Sequence, residues 1–390
     1  MKIKSIEIEN NKALKNIKIN FEKENEILNT IVIAGSNGSG KTTILESIWD
    51  YFKNEIGIKI YDIGIRLELF LENDEQKIKG SLLSSLNFLM HYKRKDFNKY
   101  QNIVENIKVI PKLIYVPTEI NFNEVETETT TLHRDYEFFN IVNSKMIEDI
   151  PSYIASRITY LANTEEDLTM KEVKEKINSE INGIFEILEL DVKLTGLSKD
   201  ERSMPVFTNS SGDEFDINQL SSGEKQLFLR TLAIKMLEPE NSIILIDEPE
   251  LSLHPKWQQR IIEIYQRIGK NNQIIVATHS PHILGSVPRE NIILLSKNEN
   301  GEVISTTGEE LYTSYGQPVD RILEDIMGLE TTRNPKVFDL LNEIRKLVDE
   351  NQYETDNFKE KYSELKSILG ETDKDLFLID MDIQRKRRKV

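Results

Sequence analysis

Gly35-Ser36-Asn37-Gly38-Ser39-Gly40-Lys41-Thr42 is the stretch on which the fold turns. It fits G-x-x-x-x-G-K-[ST] in full, and its flanks are those the pattern requires. Before it, Thr30-Ile31-Val32-Ile33-Ala34 is an apolar, β-branched run that reads as a strand buried on both faces. After it, Thr42-Thr43-Ile44-Leu45-Glu46-Ser47-Ile48 reads as a helix. Glycines let the backbone curl so that successive N–H groups point inward, and those donors together with a helix N-terminus hold phosphate oxygens. Lys41 is expected to reach the β- and γ-phosphates of a nucleotide, and the Thr42 hydroxyl to ligate Mg²⁺. Gly35, Ser36, Asn37, Gly38, Ser39, Gly40 and Thr43 complete the expected nucleotide-binding set.

Further along, Ser242-Ile243-Ile244-Leu245-Ile246 leads into Asp247-Glu248. An apolar strand ending in two acids sets both carboxylates at the C-terminal edge of a sheet, where doubly wound folds bind ligands. One carboxylate can hold the Mg²⁺ shell while the next orients or deprotonates water. Asp247 is assigned to the metal and Glu248 to water. Leu220-Ser221-Ser222-Gly223-Glu224 opens a helix. The Ser221 hydroxyl, the Gly223 N–H and the helix N-terminus form a second anion site. In isolation the same residues read as an ordinary capping box. His279 follows the buried run Gln273-Ile274-Ile275-Val276-Ala277 and reaches the same edge, placed to donate to a γ-phosphate.

Around these motifs the chain reads as α/β. Ile3, Ile6, Ile8 and Leu14, Ile17, Ile19 mark two short strands about a turn at 10–12. Residues 62–71 and 108–116 read as strands. Residues 124–190 are rich in Glu, Asn and Lys. There Val173, Ile177, Ile181, Ile184 and Leu188 recur at helical spacing. Residues 199–203 read as a polar loop, 220–236 as a helix, and 291–306 as a hairpin turning at 298–301. From about 317 the pattern is helical and charged. The expected organisation is a head over 1–123, a helical insertion over 124–200, the head again over 201–310, and a helical C-terminal region over 311–390.

Composition narrows the field. Of 390 residues, 38% are hydrophobic and 30% charged, with a net charge of −16. That balance argues against a basic nucleic-acid coat protein, though a local basic patch is compatible with it. The absence of cysteine excludes disulfides, thiolate catalysis, cysteine-based zinc fingers and iron–sulfur clusters. No stretch approaches ~18 uninterrupted apolar residues, so no membrane span is expected. The start, MKIKSIEIENN, alternates apolar and polar residues and lacks a signal peptide's apolar run, so a cytoplasmic protein is expected.

In order, Gly35–Thr42, Leu220–Glu224, Asp247–Glu248, Glu250-Leu251-Ser252-Leu253-His254-Pro255 and His279 resemble the Walker A, signature, Walker B, D-loop and switch-histidine segments of the ABC-type ATPases. The wording is nearer to the RecF, SMC and OLD branch than to transporters. The resemblance implies ATP and Mg²⁺, catalytic roles for Glu248 and His279, and slow hydrolysis serving as a switch. It also implies an ATP-sandwiched homodimer, in which Ser221 and Gly223 of one subunit meet the γ-phosphate held by Lys41 of the other. Ser222 stands where the family usually has glycine. Leu113-Ile114-Tyr115-Val116-Pro117-Thr118-Glu119 stands where the glutamine loop falls but has no glutamine, so Glu119 is the weak candidate there.

The stretch from Tyr315 to Gly328 resembles the C-terminal segment of stand-alone ATPases in bacterial anti-phage operons of the Septu and PARIS types. The implied function is a defence switch whose ATP state gates a partner nuclease or toxin, with Ile322, Leu323, Ile326, Met327 and Leu329 as candidate anchors. The alternatives are a RecF-like repair ATPase that binds DNA directly and a transporter ATPase subunit. OLD proteins continue into a Toprim nuclease, but here Asp380-Met381-Asp382 is the only late D-x-D. Leu376, Ile379 and Ile383 around it read as a helix face. The helix ends in the cations Arg385 to Lys389, which read as a solvated end and, less readily, as a phosphate-backbone contact.

Overall fold

A computed structural model describes residues 1–55, 65–70, 111–120, 137–165, 167–200 and 204–388. The chain divides into two compact units, Met1–Ile322 and Leu323–Val390. The first is built on β1 (Lys2–Asn11), β2 (Leu14–Asn20), the small hairpin β3 (Glu22–Lys23) and β4 (Glu26–Ile27), and β5 (Thr30–Gly35). Then come α1 (Lys41–Glu55), β6 (Ile65–Phe70), β7 (Leu113–Val116) and β8 (Phe139–Ile141). β2, β1 and β6 form an antiparallel sheet. Of the expected strand at 62–71, residues 65–70 are described; of 108–116, residues 111–116 are.

The main sheet has seven strands in the order β15-β14-β5-β13-β12-β7-β8, where β12 is Ile243–Asp247, β13 Gln273–Thr278, β14 Ile292–Lys297 and β15 Val303–Thr307. Every pairing from β14 to β8 is parallel; only the hairpin partner β15 runs antiparallel. Every residue of β5, β12 and β13 is buried, as apolar strands covered on both faces must be. α1 lays Ile44, Leu45, Ile48, Trp49 and Phe52 into one core cluster with Ile31, Ile33, Leu245 and Ile275. Those α1 positions recur at intervals of three and four, the spacing of one helical face.

Between β8 and β12 lie α2 (Ser144–Glu148), α3 (Ile150–Thr164), α4 (Met170–Phe185), β9 (Lys193–Leu197), β10 (Pro205–Thr208), β11 (Glu214–Asp216) and α5 (Ser222–Met236). α4 opens on a capping box between Thr169 and Glu172 and buries Val173, Ile177, Ile181 and Ile184, the periodic set. The span 124–200 is nevertheless not purely helical. β8 lies in the main sheet, and β9 pairs with β10 in a three-stranded antiparallel sheet. α2 and α3 pack against α5.

The second unit holds helices Pro335–Asp349, Asp356–Leu369 and Lys374–Arg387. Its core is Leu341, Ile344, Val348, Phe358, Leu365, Leu376, Ile379 and Ile383. Arg333 ties Asp373 to Asp375 at the start of the last helix. No helix among the described residues is long and apolar enough to cross a membrane.

Candidate active site

The loop between β5 and α1 turns on Gly40, whose φ of +97° is one that L side chains rarely adopt. A Cβ there would also stand 2.5 Å from the Leu14 side chain. The first N–H groups of α1 have no carbonyl within the helix to bond. Lys41 Nζ, 6% exposed, turns back over the loop and donates to the Gly35 carbonyl at 3.0 Å. The Ser39 hydroxyl is buried without a hydrogen-bond partner among the described residues. An inward lysine, an orphaned hydroxyl and unpaired helix amides together make a cradle for a polyanion.

β12 lies one strand beyond β13 from β5, and its C-terminal end faces the cradle. A strand continued in register would throw the Asp247 and Glu248 side chains to opposite faces. Glu248 instead adopts a left-handed φ of +46°, pinned by its N–H donating to the Ala277 carbonyl at 2.8 Å. Asp247 thereby meets the Thr42 hydroxyl at 3.0 Å, and Glu248 Oε1 lies 3.6 Å from Lys41 Nζ. Glu248 Oε2 is 2.5 Å from His279 Nδ1. The structure thus brings Lys41, Thr42, Asp247, Glu248 and His279 to one edge of the sheet.

Burial holds Asp247 above the usual carboxylate range, while hydrogen bonds from Thr118 and Thr42 and the Lys41 charge pull it back. Thr118 is a site residue that the sequence reading passed over. It follows β7, next to β12, and its hydroxyl serves Asp247 where a glutamine loop was sought. Glu119, the weak candidate for that loop, is exposed. The Thr118 carbonyl accepts from Arg230, a residue of α5 that is 3% exposed. Two hydroxyls beside a buried carboxylate are hard oxygen donors of the type Mg²⁺ takes, so Thr42 and Asp247 fit that ion.

Ser221 and Gly223 stand elsewhere. Ser221 caps α5: its hydroxyl donates to Glu224 Oε2 at 2.6 Å and accepts from the Glu224 N–H, which is the capping box. Gly223 abuts the segment after β12, where an added Cβ would lie 2.9 Å from the Ser252 carbonyl. Ser221, Ser222, Leu251 and Ser252 are all exposed. Among the described residues, no hydrogen bond or ion pair joins Ser221 or Gly223 to the phosphate cradle of the same chain.

Among its described residues, the second unit contains no comparable constellation. Asp380 accepts from the Tyr362 hydroxyl at 2.5 Å, and Asp382 is exposed. Among the described residues, the one group of three or more acidic or histidine side chains close enough to share an ion is Glu248, Glu250 and His279. Ile322 and Ile326 are buried, which removes them as anchors for a partner; Leu329 is exposed.

A phosphate cradle, an acidic pair after a buried strand, and a histidine on the neighbouring strand end define a P-loop ATPase head of the ABC type, and the chain is an ATPase. Two family models match: an AAA ATPase domain over residues 1–189, and an AAA domain described as putative AbiEii toxin, Type IV TA system, over residues 105–285. The Septu protein PtuA of Bacillus thuringiensis is 28% identical over 381 residues, 90% of each chain. A retron Vc95 probable ATPase of Vibrio cholerae is 26% identical over 358 residues, 69% of each. An SMC head bound to the C-winged helix domain of ScpA aligns with 80% of this chain and 99% of its own, at 16% identity and a TM-score of 0.42. The chain is thus similar to AAA ATPase domains over residues 1–285 and to the Septu and retron ATPases over most of its length.

Proposed function

We propose that this ATPase is a switch in an anti-phage defence system, closing on itself through ATP and gating a partner nuclease or toxin. The observation that carries the reading is the convergence of Lys41, Glu248 and His279, with Glu248 3.6 Å from the lysine and 2.5 Å from the histidine. Lys41 binds the outer phosphates. Thr42 and Asp247 hold the magnesium ion, which when bound neutralises phosphate charge. Glu248 accepts the proton of the attacking water, and His279 holds that carboxylate and faces the γ-phosphate.

The exposed Ser221 and Ser222 at the start of α5, which share no hydrogen bond or ion pair with the cradle of their own chain among the described residues, support a composite site completed by a second copy. The similarity to Septu and retron proteins supports the defence role, with a separate effector doing the damage. DNA contact through Arg385, Arg387 and Arg388 is the lesser part of the reading. The test is sizing of Glu248→Gln with ATP and Mg²⁺, alone and with the product of a neighbouring gene. An ATP-dependent dimer that holds that product supports the proposal. A protein that stays monomeric with ATP at every concentration overturns it.

A further inference from the structure

Glu250 is buried in the site yet has no part in the scheme above. Its side chain is 4% exposed. Oε1 accepts from the Thr278 hydroxyl at 2.5 Å and from the His279 backbone N–H at 2.9 Å. The same oxygen stands 3.5 Å from His279 Nδ1. Oε2 is buried and has no hydrogen-bond partner among the described residues. Burial, and the Glu248 carboxylate beside it, push this carboxyl up to about 7. A group so costly to bury, where an apolar side chain would fill the space, calls for a use.

Its bonds show what that use is. The segment Glu250–Leu253, exposed only at Leu251 and Ser252, and the turn Thr278–Ser280 follow different strands, and two bridges stitch them. Glu250 is one. The other is Gln258, in α6 (Pro255–Gln258), which donates to the Leu253 carbonyl at 2.9 Å and accepts from the Ser280 hydroxyl at 2.7 Å. The His279 ring is 49% exposed, so packing does little to aim it; its direction follows from its backbone.

We propose that Glu250 is a positioning residue for ATP hydrolysis: it clamps the Thr278–His279 turn so that the imidazole meets the Glu248 carboxylate. The inference rests on the reading of Glu248 and His279 as the hydrolytic pair. What Glu250 supplies is an acceptor oxygen for two donors, which a glutamine amide also carries.

The full-length protein is compared as wild type, Glu250→Ala, Glu250→Gln and Thr278→Val, with single-turnover hydrolysis and titration of a non-hydrolysed ATP analogue measured separately. Glu250→Ala is expected to slow hydrolysis by about 10–100-fold, the cost of about an ångström of misplacement, with analogue affinity within about threefold. Glu250→Gln should recover to within about fivefold of wild type. Thr278→Val loses one donor and is expected to fall about 3–10-fold, with no further loss when combined with Glu250→Ala. If Glu250→Ala fails to fold, the Gln and Val variants carry the test. Glu250→Ala turning over within about threefold of wild type overturns the clamp, as does a Gln variant as slow as the Ala. Glu248→Gln in the same assay separates the failures: its retained activity would undo the hydrolytic pair, whereas its inactivity beside an active Glu250→Ala would undo the clamp alone.

Discussion

Glu248→Gln is expected to act on binding and turnover with opposite signs. The carboxylate stands 3.6 Å from Lys41 Nζ, with the two side chains 14% and 6% exposed. Unit charges at that distance attract by about 4–5 kcal/mol at an effective dielectric constant of about 20. The carboxylate also repels the phosphates that Lys41 is there to hold. The glutamine leaves Lys41 free of that competing anion and lifts the repulsion, while the lysine keeps the Gly35 carbonyl with and without nucleotide. The net effect should be about 1 kcal/mol in favour of the bound state, roughly fivefold tighter ATP binding. The amide cannot take the proton of water, and loss of a general base costs about 10²–10⁴-fold in rate. Asp247 and Thr42, 3.0 Å apart, are untouched, so magnesium dependence of binding should persist. Titration of a fluorescent ATP analogue and single-turnover hydrolysis read the two effects apart. Hydrolysis within a few-fold of wild type, or affinity weakened instead of tightened, would refute the assignment.

Lys41→Ala should weaken nucleotide binding at least about tenfold, since charge-assisted bonds to phosphate are worth about 1.5–3 kcal/mol each; unchanged affinity in a titration would reject the cradle. Ser221→Arg should leave ATP binding to the single subunit intact and abolish ATP-driven dimerisation; a fully active homodimer of this variant would sink the composite site. Leu365, 0% exposed in the core of the second unit, should cost about 2–5 kcal/mol on change to alanine, lowering the melting of that unit while ATP affinity holds.

The parts of the site that the sequence made legible are those whose neighbours along the chain carry the geometry. The cradle lies between a strand and a helix that announce themselves by apolar run and period, and Asp247 by its position at a strand end. Thr118 and Glu250 escaped because their partners are distant in sequence and adjacent only through sheet order. Thr118 finds Asp247 because β7 pairs with β12, and Glu250 finds Thr278 because β12 pairs with β13. β8 lies within a span whose pattern is helical, and its three residues are too few to show a period of their own. The sheet of β9, β10 and β11 went unread for a related reason: β9 is interrupted by Gly196, and β11 is Glu214-Phe215-Asp216, with one apolar residue.

The cap on α5 has a bearing on nucleotide discrimination. Ser221 spends its proton on Glu224 at 2.6 Å, and the Glu224 carboxylate occupies the start of the helix, where an incoming phosphate would seek its charge. In the proposed composite site, a phosphate from a second copy would have to displace this tethered carboxylate. A terminal phosphate with its full charge would compete for that place, and a diphosphate, ending one group short, would not. Glu224 would then act as a counterfeit ligand whose grip sets how readily the proposed triphosphate-bound pair closes and opens.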